Sequence, residues 1–277
     1  MSDEIRRDQL LSSTAYWTAA VRGLENARVD HLFSDPWADM LAGTVGKEWI
    51  AQRTEDSVVA IVLRTRFYDD FLQRVAARGT VQQIVLMAAG LDTRAYRLPW
   101  PEKMRIFEVD QPQVMEYKDR ILLDAGAQAN CERIAIAADL TTLWEAALID
   151  AGFDPRQPAA WLMEGFLFYL NTEDLTALLD RVLSFAAQGS AVGFDIVNGE
   201  TLTSPYTKAW VEMQAKSGAP WIGTLDDPDG FLSTRGWTAT LTVPGAPEAN
   251  FGRWSLPVIP PAMPGVPHLW YVTAEKE

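Results

Sequence analysis

Cysteine and histidine are nearly missing from this 277-residue chain: Cys131 stands alone, and His31 and His268 are the two histidines. A single cysteine excludes any disulfide within the chain and points to a reducing, cytoplasmic setting. So few soft ligands, so far apart, also argue against a His/Cys zinc site. No metal is expected, although composition leaves carboxylate-bound magnesium open. Basic residues are short as well, 24 Lys and Arg against 37 Asp and Glu, a formal net charge of -13. Nucleic acid is therefore not an expected partner. No apolar run approaches the roughly 18 residues of a membrane span. The opening "MSDEIRRDQLLSSTAYW" carries no apolar leader core. A Gly-x-x-x-x-Gly-Lys-Ser/Thr loop is absent too, which leaves phosphate-loop chemistry without support.

What remains is ample core material, 48% hydrophobic residues, arranged in two grammars. The first 80 residues read as helices. "DQLLSSTAYWTAAVRGLENAR" has few breakers, and "SDPWADMLAG" offers Ser34 or Asp35 as a cap with Pro36 in the first turn. "SVVAIVLRTRFYDDFLQRVAARG" predicts a helix ending near Gly79. From residue 83, short apolar strands alternate with helices: "QIVLMA", "MRIFEVD", "RIAIAADL", "AAWLMEG" and "SAVGFDIV". The helix "NTEDLTALLDRVLSFAAQG" has Asn171 or Thr172 as cap and an apolar stripe from Leu175 to Ala186. Such alternation predicts an α/β fold with a mostly parallel sheet covered on both faces. Residues 199–231 lack a clear core pattern. "GWTATLTV" and "HLWYVTAE" predict two more strands, an antiparallel pair at the sheet edge. The proline-rich loop between them is of the kind that often covers a site.

Ligands of open parallel sheets bind beyond the carboxyl ends of the strands. Those ends are Gly90, then Glu108 and Asp110, then Asp139 and Leu140, then Glu164. Gly90, in "VLMAAGLDTRAYRLPWP", lets backbone approach a ligand closely. Asp110, about 20 residues on, can accept from ribose hydroxyls. Asp139 can accept from an adenine amino group while Leu140 packs the ring, and Glu164 can meet an ammonium. An acidic rim suits a cationic nucleoside rather than a polyphosphate. Each acid also has a plainer reading: Asp139 as a turn or cap residue, Glu164 as a buried partner of an arginine.

The pieces "LRTRFYDDFL", "VLMAAGLDTRAYRLPWP", "FEVDQPQVMEYK", "IAADL" and "EGFLFYL" run in order. As a set they resemble the leucine carboxyl methyltransferase-like family of S-adenosylmethionine-dependent methyltransferases. The resemblance covers residues 14 to about 240. It implies a class I methyltransferase, Rossmann-like sheet with N-terminal helices (1–80), a core (81–198), a late lid insertion (199–231) and C-terminal strands (232–277). It also implies S-adenosylmethionine as cofactor. Arg64 would face the cofactor carboxylate, with Arg66 close enough to compete for that role. Gly90 would form the cofactor loop, Asp110 would hold the ribose, Asp139 and Leu140 the adenine, and Glu164 the methionine moiety. Arg22 and Arg28 are candidates for a further basic contact. "MAAG" departs from the "GAG" of some relatives, which only Gly90 need satisfy if Ala89 has ordinary dihedrals.

Methyl transfer from a sulfonium is an in-line displacement that chiefly needs alignment. A hydroxyl acceptor gains from a general base, whereas a carboxylate is already ionised. Tyr169, Phe166 and Arg235 are the candidates for positioning an acceptor. Arg94 and Arg97 read more readily as braces for the acidic rim. Tyr206, Trp210, Trp221 and Phe168 suggest an aromatic pocket or, equally, an aromatic core. The expected activity is O-methylation of a carboxylate or hydroxyl on a small molecule such as a secondary metabolite. The alternatives are methylation of a protein C-terminus, a non-catalytic cofactor-binding protein, and an NAD-dependent dehydrogenase, which expects the triple-glycine loop missing here.

Overall fold

A computed structural model describes residues 3–51, 53–142 and 144–277, with side chains from Thr14 onward. The reading of the first 17 residues as leader-free therefore falls partly outside the described residues. Three helices come first: α1 (Asp3–Asn26), α2 (Ala38–Ile50) and α3 (Glu55–Ala77). Then follow β1 (Gln83–Met87), α4 (Arg94–Arg97), β2 (Arg105–Asp110), α5 (Pro112–Asp124), β3 (Glu132–Ala137), α6 (Trp144–Asp150), β4 (Ala159–Met163), α7 (Thr172–Phe185) and β5 (Ala191–Val197). The remaining elements are α8 (Gly199–Thr203), α9 (Lys208–Lys216), α10 (Pro228–Ser233), β6 (Trp237–Thr242) and β7 (Leu269–Lys276).

The seven strands form one sheet in the order β3-β2-β1-β4-β5-β7-β6. Strands β1 to β5 are parallel, and β7 runs antiparallel to both β5 and β6. The sheet is mixed and mostly parallel. Alternation of side chains across each strand divides the core into two layers. Val85, Met87, Phe107, Val109, Trp161 and Met163 face α6 and α7, whereas Ile84, Leu86, Ile106, Ala160 and Leu162 face α3. The amphipathic stripe of α7 is buried at Leu175, Leu178, Leu179, Val182 and Leu183, and Asn171 caps the helix by accepting from the Asp174 amide.

Several sequence expectations shift. The cap of α2 is neither Ser34 nor Asp35: the helix starts at Ala38 behind Trp37, without a side-chain cap. Asp35 is instead drawn into a buried ion pair with Arg22. Residues 199–231, without a core pattern in sequence, hold the short helices α8, α9 and α10. The proline-rich loop before β7 runs back over the N-terminal helices. There Phe251 lies under Arg66 and Arg253 reaches Glu25. It lines no part of the main cavity.

The strand order reverses at β1, which has β2 on one side and β4 on the other. This is the switch point of an open α/β sheet, where chain connections diverge and leave a crevice.

Candidate active site

The main cavity opens at that switch point. It is lined by the ends of β1, β2, β3 and β4, by α1 and α3, and by Trp210, Gln214 and Trp221 of the late segment. Neighbouring strands lie about 4.8 Å apart, so the rim from β3 to β4 spans about 14 Å. Sheet order fixes the sequence of side chains along it. Asp139 and Leu140 come first, then Asp110, then Gly90, then Glu164 with Phe166, Phe168 and Tyr169. Arg64 enters from α3.

Each of these residues has local partners. Asp110 accepts from the Gly90 amide at 2.6 Å and the Gln111 amide at 2.7 Å. That ties the loop after β1 to the end of β2. Burial pushes the Asp110 carboxyl up, and the two amides offset this in part. Asp139 is exposed and accepts from the amide and hydroxyl of Thr141, while Leu140 is buried. A turn role thus accompanies whatever contact Asp139 makes in the cavity.

Gly90 has φ +50, and a Cβ there would sit 3.3 Å from the Ala15 Cβ of α1. Ala89 is not among the residues of positive φ, but Ala88 is, at φ +52. The strain of "MAAG" therefore falls on the position that "GAG" fills with glycine. A left-handed alanine costs about 1–2 kcal/mol, against about 0.5–1 kcal/mol for the extra freedom glycine brings to the unfolded chain. Ala88→Gly should therefore raise Tm by about 1–3 °C. A fall in a thermal melt would show that the packing of the Ala88 methyl outweighs its strain.

Beneath Gly90 and Glu164 lies a chain of buried ion pairs. Arg22 bonds Asp35 at 2.8 Å and the Leu91 carbonyl at 2.6 Å. Thr93 donates to Asp35 at 2.6 Å. Arg97 and Arg94 share Asp69, at 2.6 and 2.7 Å. Arg94 also pairs with Asp92, and with Glu164 at 2.7 Å. Arg64 joins Glu164 and Asp195, each at 3.0 Å. Four guanidiniums thus meet five carboxylates. Burial alone would favour neutral Glu164, but Arg94 and Arg64 outweigh it and hold its carboxyl below the usual range. Gly165, at φ +69, lets Arg64 lie close: a Cβ there would come within 2.7 Å of its guanidinium. The Gly165 amide donates to Asp195 at 2.6 Å.

Arg64, Gly90, Asp110, Asp139, Leu140, Glu164, Phe166 and Tyr169 all line this cavity. Arg64, however, is already committed to two carboxylates rather than presented singly to a ligand. Arg66 lies away from the cavity, bonded to Asp70 and the Leu32 carbonyl. Arg28 is an exposed partner of Asp30. Arg235 is a correction: it follows α10, pairs with Asp180 on α7 and lies over Phe231, too far along the sheet to position an acceptor. Arg94 and Arg97 brace the acids. Sequence reading missed Asp195 and Asp69, and took Asp35 for a helix cap. A signal existed for the first, an acid inside the otherwise apolar "AVGFDIV".

The β4 end is aromatic. Phe168 packs on Trp221 with centroids 4.3 Å apart, and Trp210 meets Trp221 edge-on at 5.7 Å. The amides of Ile222 and Gly223 donate to the Phe168 carbonyl, which fixes the late segment over this end. Tyr169 is surrounded by the cavity wall. Burial pushes its hydroxyl pKa up, with Trp221 and Thr14 beside it pulling slightly the other way. His31 bonds the Arg28 carbonyl and His268 the Met263 carbonyl, and neither lines the cavity.

The residues present fit a methionine-bearing nucleoside. An acid stands on the strand next to a close-approach glycine, and Leu140 and Val114 offer apolar surface beyond it. Comparison with known proteins agrees. A protein of Mycolicibacterium smegmatis named "Putative S-adenosyl-L-methionine-dependent methyltransferase" is 38% identical over 252 residues, 83% of this chain and 84% of its own length. One of the same description from Streptomyces coelicolor is 38% identical, with 87% and 88% covered. The crystal structure of a DUF574 family protein from Streptomyces avermitilis superposes with a TM-score of 0.59 at 15% identity, covering 95% of this chain and 97% of that one. It shares the fold. The leucine carboxyl methyltransferase profile matches residues 15–183, more than half of the sequence and every strand end that forms the rim. The chain therefore belongs to the leucine carboxyl methyltransferase family.

Proposed function

We propose that this S-adenosylmethionine-dependent methyltransferase methylates an oxygen of a small, planar or apolar acceptor, and that the oxygen belongs to a carboxylate. The cofactor, when bound, supplies an activated methyl group on a sulfonium. The chain's own residues then have to hold, orient and keep water out. Asp110 and Gly90 fix the loop after β1, Glu164 and Arg64 define the rim at β4, and the aromatic cluster faces the acceptor.

The observation that carries the choice of oxygen is the state of the cavity's acids. Among the described residues these are Asp92, Asp110, Asp139 and Glu164, and each is engaged by a guanidinium, backbone amides or a turn. None is placed as a free base. Tyr169, with its pKa pushed up, stays protonated at neutral pH and serves as a donor that can fix an acceptor oxygen. A hydroxyl acceptor would lack the base that accelerates its reaction by about 10²–10⁴-fold, whereas a carboxylate needs none. Alignment is then the main contribution, about 7–11 kcal/mol when well achieved.

Methylation of a protein C-terminus is the second reading, favoured by the family itself. Enclosure of the β4 end by Trp17, Trp210 and Trp221 supports the smaller acceptor. The lone cysteine and the absence, among the described residues, of any helix long and apolar enough to cross a membrane fit a cytoplasmic enzyme. A labelled-methyl screen over aromatic acids, phenols and C-terminal peptides tests these readings. Base-labile methyl esters on small acids are expected. Label confined to phenols, or to peptides, would overturn the proposal.

A further inference from the structure

Arg53 sits in the turn between α2 and α3 and differs from the arginines of the ion-pair chain. Among the described residues its guanidinium meets no carboxylate. It lies between two indoles, 5.2 Å from the Trp17 centroid and 5.1 Å from that of Trp49. It donates to the Gln214 Oε1 at 2.7 Å and to the Ser217 Oγ at 3.4 Å. Cation–π contact with two indoles places the fork, and the fork reaches α9.

Helix α9 is anchored unusually. Its single buried residue is Gln214, 2% exposed, so no apolar side chain of α9 is fully buried. The helix is nine residues long and follows the short α8. A segment with little apolar burial opens locally at low cost. Yet Gln214 and Trp210 form one wall of the cavity, and Trp17 of α1 forms another. Arg53 is bonded to the first wall and stacked on the second.

We propose that Arg53 is a positioning residue for the acceptor, latching α9 through Gln214 as a lid over the β4 end of the cavity. The lid closes when the Arg53–Gln214 bond forms, and this seats Trp210 and Trp221 around the acceptor and excludes water. It opens by exchanging the two neutral-acceptor hydrogen bonds of Arg53, to Gln214 and Ser217, for water, without breaking an ion pair or uncovering a core. An ion pair at this place would hold the lid shut, whereas an amide lets it cycle.

Hydrogen–deuterium exchange of the full chain, read on peptides covering Lys208–Ser217, tests the latch. Arg53→Met should raise exchange there at least tenfold and leave β1, β4 and β5 within twofold. Gln214→Glu makes the bond charge-assisted. It should slow exchange of α9 at least threefold with Arg53 present, and speed it when combined with Arg53→Met. Unchanged α9 exchange in Arg53→Met overturns the proposal, as does a rise shared equally by α1–α3 and the sheet. Faster exchange in Gln214→Glu alone also overturns it. The inference rests on reading this cavity as the methyl-transfer site. Calorimetric titration of the same proteins with S-adenosylhomocysteine reads that separately. No binding by the unaltered chain would remove the acceptor role, whereas binding with unaltered α9 exchange would remove only the latch.

Discussion

Arg94→Met should lower the unfolding free energy by about 3–5 kcal/mol, the usual cost of removing one partner from a buried ion pair. Arg94 is 2% exposed and serves Asp69, Asp92 and Glu164 together. Methionine fills a similar volume but leaves the buried Asp69 and the partly buried Asp92 and Glu164 short of a guanidinium. Urea denaturation followed by circular dichroism measures the loss, and a drop below about 1 kcal/mol would show that the network relaxes around the gap. The acid limb should move too. Burial opposes ionisation of Asp92, but Arg94, with Lys118, Arg97 and Arg22, outweighs it and holds the carboxyl at about 2. A carboxyl held below its unfolded value stabilises the fold fully above that value, near 3.8, and the contribution is lost as pH falls from about 4 to about 2. Without Arg94 the carboxyl rises and the loss should begin at higher pH.

Asp110→Ala should weaken S-adenosylhomocysteine binding by about 10–150-fold, the equivalent of about 1.5–3 kcal/mol for hydrogen bonds to a charged acceptor. Two effects add. The carboxylate is removed from the rim, and the Gly90 and Gln111 amides lose the oxygen that positions them. Asp110→Asn separates the two, since an amide oxygen can still serve one backbone donor. Calorimetry giving an unchanged Kd for both variants would take Asp110 out of the cofactor site.

The strands and the rim were legible because both obey short-range rules. Parallel strands buried on two faces read as apolar runs, and the residue after each run reaches the rim whatever the rest of the chain does. That is why Gly90, Asp110, Leu140 and Glu164 could be read from single positions. The buried network was not legible, because its members come from distant segments. Asp35, Asp69, Arg94 and Asp195 belong to the α2 entry, α3, α4 and β5, and only the packed fold brings them together. Arg235 failed for the same reason in reverse. An arginine near the late segment looked available, but α10 leads it to Asp180. Ala88 was missed because a positive φ at a non-glycine residue has no compositional signature.

The sheet order also constrains how the chain acquires its structure as it is made. Among the described residues β6 pairs only with β7, and β7 fills the place between β5 and β6. During synthesis β6 thus emerges before the strand that joins it to the sheet. Until Leu269–Lys276 follows, β5, apolar but for Asp195 and Gly193, has an unpaired edge, the kind of surface on which nascent chains associate wrongly. The rim at β1, β2 and β4 needs none of this and can assemble first. The cavity rim is thus complete once β4 has paired with β1, whereas the far edge of the sheet closes only with the last strand.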